Sequence, residues 1–208
     1  MYKNSYGGLL VAIDGPKGVG KTTLIGNVYK CLLGRGEKIY ATKEPSTSCI
    51  GNFTRGISEY INGDSLACLV AADRYEHLKY EVIPKLREGY IVITDRYILS
   101  SLILQRVDDV EVKFILGINE NIVLPDMQFA IVANPEVIQK RLKDRNILSR
   151  FEKENKTNHE IHYLMDGVDE LRKLEIPVIQ IDNGGNLDDS VNNIVDQIIQ
   201  RLNEVRHA

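Results

Sequence analysis

One eight-residue segment constrains the fold of this chain more than any other feature of its sequence. It matches the pattern G-x-x-x-x-G-K-[ST] and consists of Gly15, Pro16, Lys17, Gly18, Val19, Gly20, Lys21 and Thr22. Residues 9–13 before it form an apolar run of strand length, and residues 23–33 after it carry apolar side chains at close to helical spacing. A strand, a glycine loop and a helix in this order predict a phosphate-binding loop.

The chemistry of such a loop indicates a nucleoside triphosphate as its ligand. The glycines allow successive backbone N–H groups to curl around a polyphosphate, and the positive end of the following helix adds to the attraction. We expect Lys21 to bind the β- and γ-phosphates and the Thr22 hydroxyl to ligate Mg²⁺. The predicted nucleotide-binding residues are the eight of the pattern together with Thr23. The alternative, a chance glycine-rich turn, is disfavoured by the flanking strand and helix.

Composition is that of a small globular enzyme, and we expect residues 1–208 to form a single domain. The net charge of −3 argues against a surface that binds nucleic acid, so a bound phosphate must be held by a local basic cluster. The three cysteines, Cys31, Cys49 and Cys68, show no CxxC spacing, which predicts buried or incidental thiols in a reducing compartment. We expect no signal peptide and no membrane span, and hence a cytoplasmic protein.

Strand-like and helix-like segments alternate along the chain. The pattern predicts strands at residues 9–13, 38–43, 90–94, 127–132 and 178–181, and helices at 23–33, 50–61, 65–88 (disturbed near Pro84), from about 136, and at 191–202. Repeated strand–helix units imply an α/β fold with a parallel sheet covered on both faces. Lys21, Glu44 and Asp95 each follow a predicted strand, so we expect them to meet at the carboxyl edge of the sheet.

Each residue at this edge has a candidate role and an alternative. Asp95 is placed like an acid that holds Mg²⁺, although an Asp there can also cap the next helix. Arg96 can bind a phosphoryl group bidentately, or be an exposed structural arginine. Glu44 can orient metal-bound water or a substrate hydroxyl, or form an ion pair with Arg74 or Arg96.

A basic stretch lies further along the chain, at Arg141, Lys143, Arg145, Arg150 and Lys153. For Arg141, Lys143 and Lys153 we favour a solvated helix face, the usual explanation of such a run. Arg145 and Arg150 flank residues 146–149, which are typical of the tip of a mobile flap at about 143–157. We interpret these two as catalytic arginines, since a closing arginine supplies charge to a transferring phosphoryl group and excludes water.

Further motifs accompany the loop, in a fixed order. They are Glu44-Pro45, Ile50-Gly51 and Arg55, then Leu69-Val70-Ala71-Ala72-Asp73-Arg74 with His77, then Asp95-Arg96-Tyr97 with Ser100-Ser101-Leu102 and Gln105, and finally Leu124-Pro125-Asp126, Asn134-Pro135-Glu136 and Arg150-Phe151-Glu152. Over roughly residues 8–200 this order and spacing resemble the thymidylate kinases, a family of nucleoside monophosphate kinases.

The resemblance implies a P-loop NTPase fold, with a five-stranded parallel sheet, helices on both faces and a mobile flap. It also implies transfer of the γ-phosphoryl group of ATP to the 5′-phosphate of a nucleoside monophosphate, a small-molecule partner, and a homodimer packed through long helices. In that picture Thr22 and Asp95 hold Mg²⁺, and Lys21, Asp95, Arg96, Arg145 and Arg150 are catalytic. The acceptor-binding residues it implies are Glu44, Ser46, Arg55, Val70, Arg74, Arg96, Ser101, Leu104 and Gln105.

The chain departs from the family pattern on the acceptor side. Lys17 stands where the family usually has a loop aspartate that contacts the sugar 3′-hydroxyl, and Val70 where a phenylalanine stacks on thymine. Leu104 replaces a tyrosine that crowds the 2′ position, and Ser46-Thr47 replaces Gly-Gly. Loss of a stacking ring weakens base binding by about 1–3 kcal/mol. We therefore expect looser selection for thymine and for deoxyribose.

Three functions stay open on the sequence. The first is a kinase of thymidylate or a related pyrimidine nucleotide, and the second a divergent kinase of a modified or ribose-containing nucleotide or of a nucleoside. The third is an ATP-binding regulatory protein without catalysis, against which the intact Lys21, Thr22, Asp95, Arg96 and Arg150 argue.

Overall fold

The computed structural model describes residues 1–143 and 157–206. Its centre is a five-stranded parallel sheet with the strand order β2-β3-β1-β4-β5. The strands are β1 (Leu9–Asp14), β2 (Ile39–Lys43), β3 (Ile91–Asp95), β4 (Met127–Val132) and β5 (Val178–Asp182). The sheet confirms the predicted architecture, and the carboxyl ends of β1, β2 and β3 lie next to one another.

Helices connect the strands. They are α1 (Lys21–Gly34), α2 (Cys49–Ile57), α3 (Gly63–His77), α4 (Ile83–Arg87), α5 (Ile98–Val107), α6 (Val112–Ile118), α7 (Pro135–Lys143), α8 (Thr157–Lys173) and α9 (Leu187–Arg206). No helix in the described part of the chain is both long enough and apolar enough to span a membrane.

The central strand β1 shows how the sheet is covered on both faces. All of its side chains are buried, and alternate residues of a strand point to opposite faces. Leu9, Val11 and Ile13 pack in one hydrophobic core, with residues of α1 and α9. Leu10 and Ala12 pack in a second core, with residues of α3, α5 and α8. The sheet is therefore the middle layer of three.

The strand predictions agree with the structure within one residue at each end, but the helix predictions are less accurate. The helix predicted for residues 65–88 is α3, a π-helical turn (Leu78–Val82) and α4 in direct succession. Pro84 lies at the first positions of α4, where a missing N–H is tolerated, so the helical path continues past it. The prediction located the disturbance correctly.

The three cysteines are exposed and free, so of the two expected alternatives, buried or incidental thiols, the structure has the second. Cys31, Cys49 and Cys68 lie on α1, α2 and α3, on helix faces turned away from the cores.

Candidate active site

A cavity of about 300 Å³ opens at the carboxyl edge of the sheet, where the glycine loop leads into α1. We call it the phosphate-loop cavity, and its lining is Lys17, Gly18, Gly20, Lys21, Thr22, Thr23, Asp95 and Arg96. The predicted convergence of the loop with the end of β3 is therefore present in the structure.

Two glycines make the shape of this loop possible. Gly20 has φ +98°, and a Cβ there would come within 2.7 Å of the Asn183 side-chain nitrogen. At Gly15 a Cβ would come within 2.5 Å of the carbonyl oxygen of Ile131 on β4. A side chain at either position would push the loop backbone away from its neighbours. The glycines thus let the loop lie directly on the sheet edge.

Lys21 is buried at the floor of the phosphate-loop cavity. Its ammonium group donates hydrogen bonds to the carbonyl oxygens of Gly15 and Pro16, at 2.8 and 2.9 Å. Burial, assisted by the positive charge of Arg96, lowers the pKa of Lys21 to about 7. An anionic ligand beside the ammonium group favours its charged form, so a polyphosphate here and the protonated Lys21 stabilise each other.

Asp95 and Thr22 suit a magnesium ion. Both line the phosphate-loop cavity, and Oδ1 of Asp95 is buried without a hydrogen-bond partner among the described residues. A carboxylate oxygen and a hydroxyl oxygen are the kinds of ligand that Mg²⁺ prefers. An unsatisfied buried carboxylate oxygen is costly, so a cation with its water shell fits this position.

Asp14, at the end of β1, was not among the predicted site residues, and it connects segments of the chain beside the cavity. One of its oxygens accepts the backbone N–H of Tyr97 at 3.0 Å, and the other accepts a hydrogen bond from Gln128 at 2.9 Å. Its burial raises the pKa of its carboxyl group. Asp14 therefore joins β1 to the end of β3 and to β4 beneath the site.

Arg96 is held in an uncommon backbone conformation, with φ 77°. Its backbone N–H donates to the carbonyl of Ile13 at 3.0 Å, and its carbonyl accepts a hydrogen bond from the Thr94 hydroxyl at 2.8 Å. A non-glycine residue in this region costs about 1–3 kcal/mol, and such strain concentrates at functional sites. The guanidinium group donates to Ser100 at 3.1 Å, which directs it to the cavity edge.

A second cavity, of about 160 Å³, lies between α3 and α5. We call it the α3/α5 cavity. The predicted acceptor residues that line it are Glu44, Val70, Arg74, Arg96, Ser101, Leu104 and Gln105. Its further lining residues are Lys17, which the sequence analysis noted as an acceptor-side departure from the family pattern, and Pro45, Thr54, Ser58, Leu66 and Ser100, which it did not assign to the acceptor. Oε1 of Gln105 and the hydroxyl of Thr54 are buried without partners among the described residues, so the cavity has hydrogen-bonding capacity to offer.

Glu44 and Arg74 form a buried ion pair at the floor of the α3/α5 cavity. Nε and Nη2 of Arg74 lie 2.8 and 2.7 Å from Oε2 of Glu44, so the ion-pair alternative for Glu44 is the observed one. Arg74 also donates to Asn119 at 2.7 Å and to Ser101 at 3.0 Å. These contacts fix the guanidinium group as part of the cavity wall.

Two predicted acceptor residues, Ser46 and Arg55, do not line this cavity. The backbone N–H of Ser46 donates to Asp73 on α3 at 2.6 Å, and its hydroxyl donates to the same carboxylate. Arg55 donates to the carbonyl of Pro45 and, at 3.1 Å, to that of Ser46. Both side chains fasten the loop after β2 to the helices around it, and this use of their polar groups places them outside the cavity.

Arg141 is not on a solvated helix face, so that prediction is wrong. Its guanidinium group donates to the carbonyl of Val19 in the glycine loop at 2.9 Å and to that of Asn183 at 3.0 Å. These two bonds hold the guanidinium group of Arg141 between the glycine loop and the end of β5. Arg145, Arg150, Lys153 and the flap between them lie outside the described residues, as does the side chain of Lys143.

Glu160 is a further residue that the sequence analysis missed. It is buried on α8, and its Oε2 accepts the backbone N–H of Lys17 at 2.8 Å. No local pattern marks it, because 143 positions separate the two residues.

Residues 13–194 match the sequence model of the family described as thymidylate kinase. The chain belongs to the thymidylate kinase family. Relatives agree with this. A protein of Pyrobaculum calidifontis named probable thymidylate kinase is 41% identical over 149 residues, 69% of this chain and 74% of that protein. A thymidylate kinase of Caldicellulosiruptor saccharolyticus is 32% identical over 205 residues, 93% of this chain and 98% of that protein. Both the phosphate-loop cavity and the α3/α5 cavity fall within the residues that the family model covers.

Proposed function

We propose that this member of the thymidylate kinase family transfers the γ-phosphoryl group of ATP to the 5′-phosphate of thymidylate, giving ADP and thymidine diphosphate. One observation carries the proposal: the phosphate-loop cavity and a separate cavity of about 160 Å³ adjoin each other and share Lys17 and Arg96. A kinase of this type needs a donor site and an acceptor site that meet at the reacting phosphates. The family membership supports thymidylate as the acceptor.

On the donor side, the loop N–H groups and Lys21 bind the phosphates of ATP. Thr22 and Asp95 would hold Mg²⁺, which supplies charge neutralisation and orientation to the phosphates when bound. The glycines at positions 15 and 20 let the backbone approach the phosphates closely.

On the acceptor side, the guanidinium group of Arg96 binds the 5′-phosphate, since a planar fork of donors matches a phosphate. The aliphatic side chains of Leu66, Val70 and Leu104 contact the base and sugar, and Gln105 offers its free oxygen to a polar edge. The attacking phosphate oxygen is already anionic, so the reaction needs no strong general base. Positioning and charge neutralisation perform most of the catalysis.

A second candidate acceptor, a ribose-containing or modified nucleotide, is supported by the same cavity. No aromatic side chain lines it among the described residues, and Val70 and Leu104 stand at the positions that face base and sugar in this interpretation. Without a stacking ring, selection for thymine is weaker by about 1–3 kcal/mol. This candidate differs from the first only in the acceptor, not in the transfer.

The test is a coupled assay of ADP release with ATP, Mg²⁺ and a panel of nucleosides and nucleoside 5′-monophosphates. We expect turnover with thymidylate that exceeds turnover with every nucleoside. Higher kcat/KM for a ribonucleotide would favour the second candidate. ATP binding without release of ADP for any acceptor would contradict both and favour a regulatory protein.

The proposal also covers the domain organisation, the oligomeric state and the location of the protein. We propose one kinase domain over residues 1–208 with a flap at about 143–157, and a homodimer, which the family resemblance supports. Light scattering at micromolar concentration tests the dimer. A cytoplasmic location is supported by the three exposed free thiols, which persist in reducing compartments.

A further inference from the structure

Within the described residues, the phosphate-loop cavity and the α3/α5 cavity share two lining residues, Lys17 and Arg96. Both are cations. Lys21, the other lysine of the loop, lines the phosphate-loop cavity and is absent from the lining of the α3/α5 cavity. The two lysines of the same loop are thus placed differently with respect to the two ligands.

The boundary between the cavities has a chemical meaning in a kinase. A phosphoryl group that passes from a donor in one cavity to an acceptor in the other crosses this boundary. In the transition state its negative charge is spread over three equatorial oxygens. A cation that lines both cavities is near this group during transfer, when stabilisation lowers the barrier.

The backbone of Lys17 is fixed from two sides. Its N–H donates to the buried carboxylate of Glu160 on α8, at 2.8 Å. The next residue, Gly18, has φ +81°, and a Cβ there would come within 2.8 Å of the Leu142 side chain on α7. The side chain of Lys17 therefore starts from a defined point, which limits the volume its ammonium group can reach.

Lys21 has a different partner set. Its ammonium group lies on the carbonyls of Gly15 and Pro16, inside the loop itself. This position suits contact with the β- and γ-phosphates from the donor side. Lys21 does not line the α3/α5 cavity, so the cations that face the group in transit from both cavities are Lys17 and Arg96.

We propose that Lys17 is a catalytic residue whose ammonium group, together with Arg96, contacts the phosphoryl group during transfer, and that Glu160 is the positioning residue that holds it; this rests on the proposed function. The bond between the γ-phosphorus and the β,γ-bridging oxygen breaks, and its electron pair stays on ADP. A bond forms from an anionic oxygen of the acceptor phosphate to the same phosphorus. No proton moves, and Lys17 stays charged throughout.

The test compares Lys17→Met, which removes the charge at similar length, with Lys17→Arg, which keeps a cation. Lys113→Met, an exposed lysine on α6, is the matched control. On the acceptor that the unmodified protein uses best, Lys17→Met should lower kcat by about a hundredfold. KM for both substrates should change by less than about threefold, because an interaction made only in the transition state leaves ground-state binding intact. Lys17→Arg should have a kcat about tenfold higher than that of Lys17→Met.

A binding measurement separates catalysis from folding. The unmodified protein should hold ADP, acceptor and aluminium fluoride, a mimic of the group in transit, more tightly than ADP and acceptor alone. Lys17→Met should lose this gain and keep the melting temperature of the Lys113→Met control. A raised acceptor KM with unchanged kcat would overturn the proposal and make Lys17 a contact of the sugar or base. Unchanged kinetics would overturn it as well.

A double-mutant cycle tests the role of Glu160. Glu160→Ala removes the acceptor of the Lys17 N–H and should lower kcat about tenfold, whereas Glu160→Gln keeps an acceptor oxygen and should restore most of it. In the Lys17→Met background, Glu160→Ala should lower kcat little further, because the two residues act as one unit. Additive losses would overturn the positioning role. Failure of the proposed function appears in the unmodified protein, on the acceptor panel, and is distinct from these differences between variants.

Discussion

Of the eight residues that line the phosphate-loop cavity, six belong to the continuous stretch 17–23, and the other two are adjacent at the end of β3. The α3/α5 cavity instead draws its lining from the glycine loop, the end of β2, α2, α3, the turn after β3 and α5. One site is built from local backbone conformation, and the other from side chains that only tertiary packing brings together. A donor site of the first kind tolerates little change, while an acceptor site of the second kind can be altered one side chain at a time.

Lys21→Ala is the sharpest test of the local site. We expect loss of at least a thousandfold in kcat/KM, equivalent to about 4 kcal/mol, because the charge beside the phosphates is removed from a buried position. The measurement is the coupled ADP-release assay, with Lys30→Ala, an exposed lysine on the same helix, as control. Turnover close to that of the control would show that the loop does not hold the reacting phosphates.

The flap arginines test whether the donor side needs a distant segment after all. Arg145→Ala and Arg150→Ala should each lower kcat by about a hundredfold and weaken ATP binding little, because a closing arginine acts mainly in the transition state. Lys153→Ala, from the same segment, should have little effect. If the arginine variants raise only KM, the two residues bind ATP in the ground state and the catalytic interpretation fails.

Acceptor choice should respond to side chains far more than to the loop backbone. Val70→Phe with Leu104→Tyr adds two rings to the α3/α5 cavity, and should shift the ratio of kcat/KM for thymidylate over its ribose counterpart by about tenfold towards thymidylate. Val205→Phe on α9 controls for an added ring elsewhere. A protein that already rejects the ribonucleotide strongly would contradict the loose selection expected from Val70 and Leu104.

The same contrast explains what the sequence could predict. Lys21, Thr22 and Asp95 line one cavity, a convergence that a contiguous pattern and the ends of strands are sufficient to predict. Arg141 could not be placed, since its helix position does not reveal that the carbonyls of Val19 and Asn183 lie within its reach. Hydrophobic periodicity reports on burial, and not on which polar partner a long side chain finds.

Ser46 and Glu160 show the limit on the acceptor side. The motif order placed Ser46 near the acceptor, but Asp73 takes both its N–H and its hydroxyl. Glu160 joins Lys17 across 143 positions, a distance in sequence over which no local signal extends. Family resemblance predicts which segments surround a site, whereas the partners of each side chain follow from packing that only the three-dimensional structure contains.

The smallest effect concerns His77, which lies behind the α3/α5 cavity. Its ring is buried, with Nδ1 3.6 Å from Oε1 of Glu44 and Nε2 3.4 Å from Glu81 and 2.8 Å from the Thr42 hydroxyl. Burial alone would lower the pKa of His77, but the nearby carboxylate of Glu44, with the charges of Glu81 and Asp73, raises it above 6.5. Protonated His77 thus supports Glu44, which in turn holds Arg74.

The sign of the pH effect follows from this raised pKa. A histidine whose pKa is higher in the folded than in the unfolded chain stabilises the fold. This stabilisation is fully present below pH 6.5, its ordinary pKa, and is lost as the pH rises through its pKa in the folded chain. The melting temperature of the unmodified protein should therefore fall between pH 6.5 and 8.5 relative to that of His77→Gln, which does not titrate. For a chain of this size each kcal/mol lost lowers the melting temperature by about 2–4 °C.

The loss of this charge should also weaken binding of the acceptor, but not binding of ATP. Over the same pH range KM for the acceptor should rise in the unmodified protein relative to His77→Gln, and KM for ATP should not, since Glu44 and Arg74 line the α3/α5 cavity and not the phosphate-loop cavity. The comparison with His77→Gln removes the titration of the substrate phosphate, which both proteins share. His162→Gln, an exposed histidine on α8, is the matched control. Equal pH dependence of both KM values would show that His77 acts on the whole fold, and that the two cavities are less independent than their construction indicates.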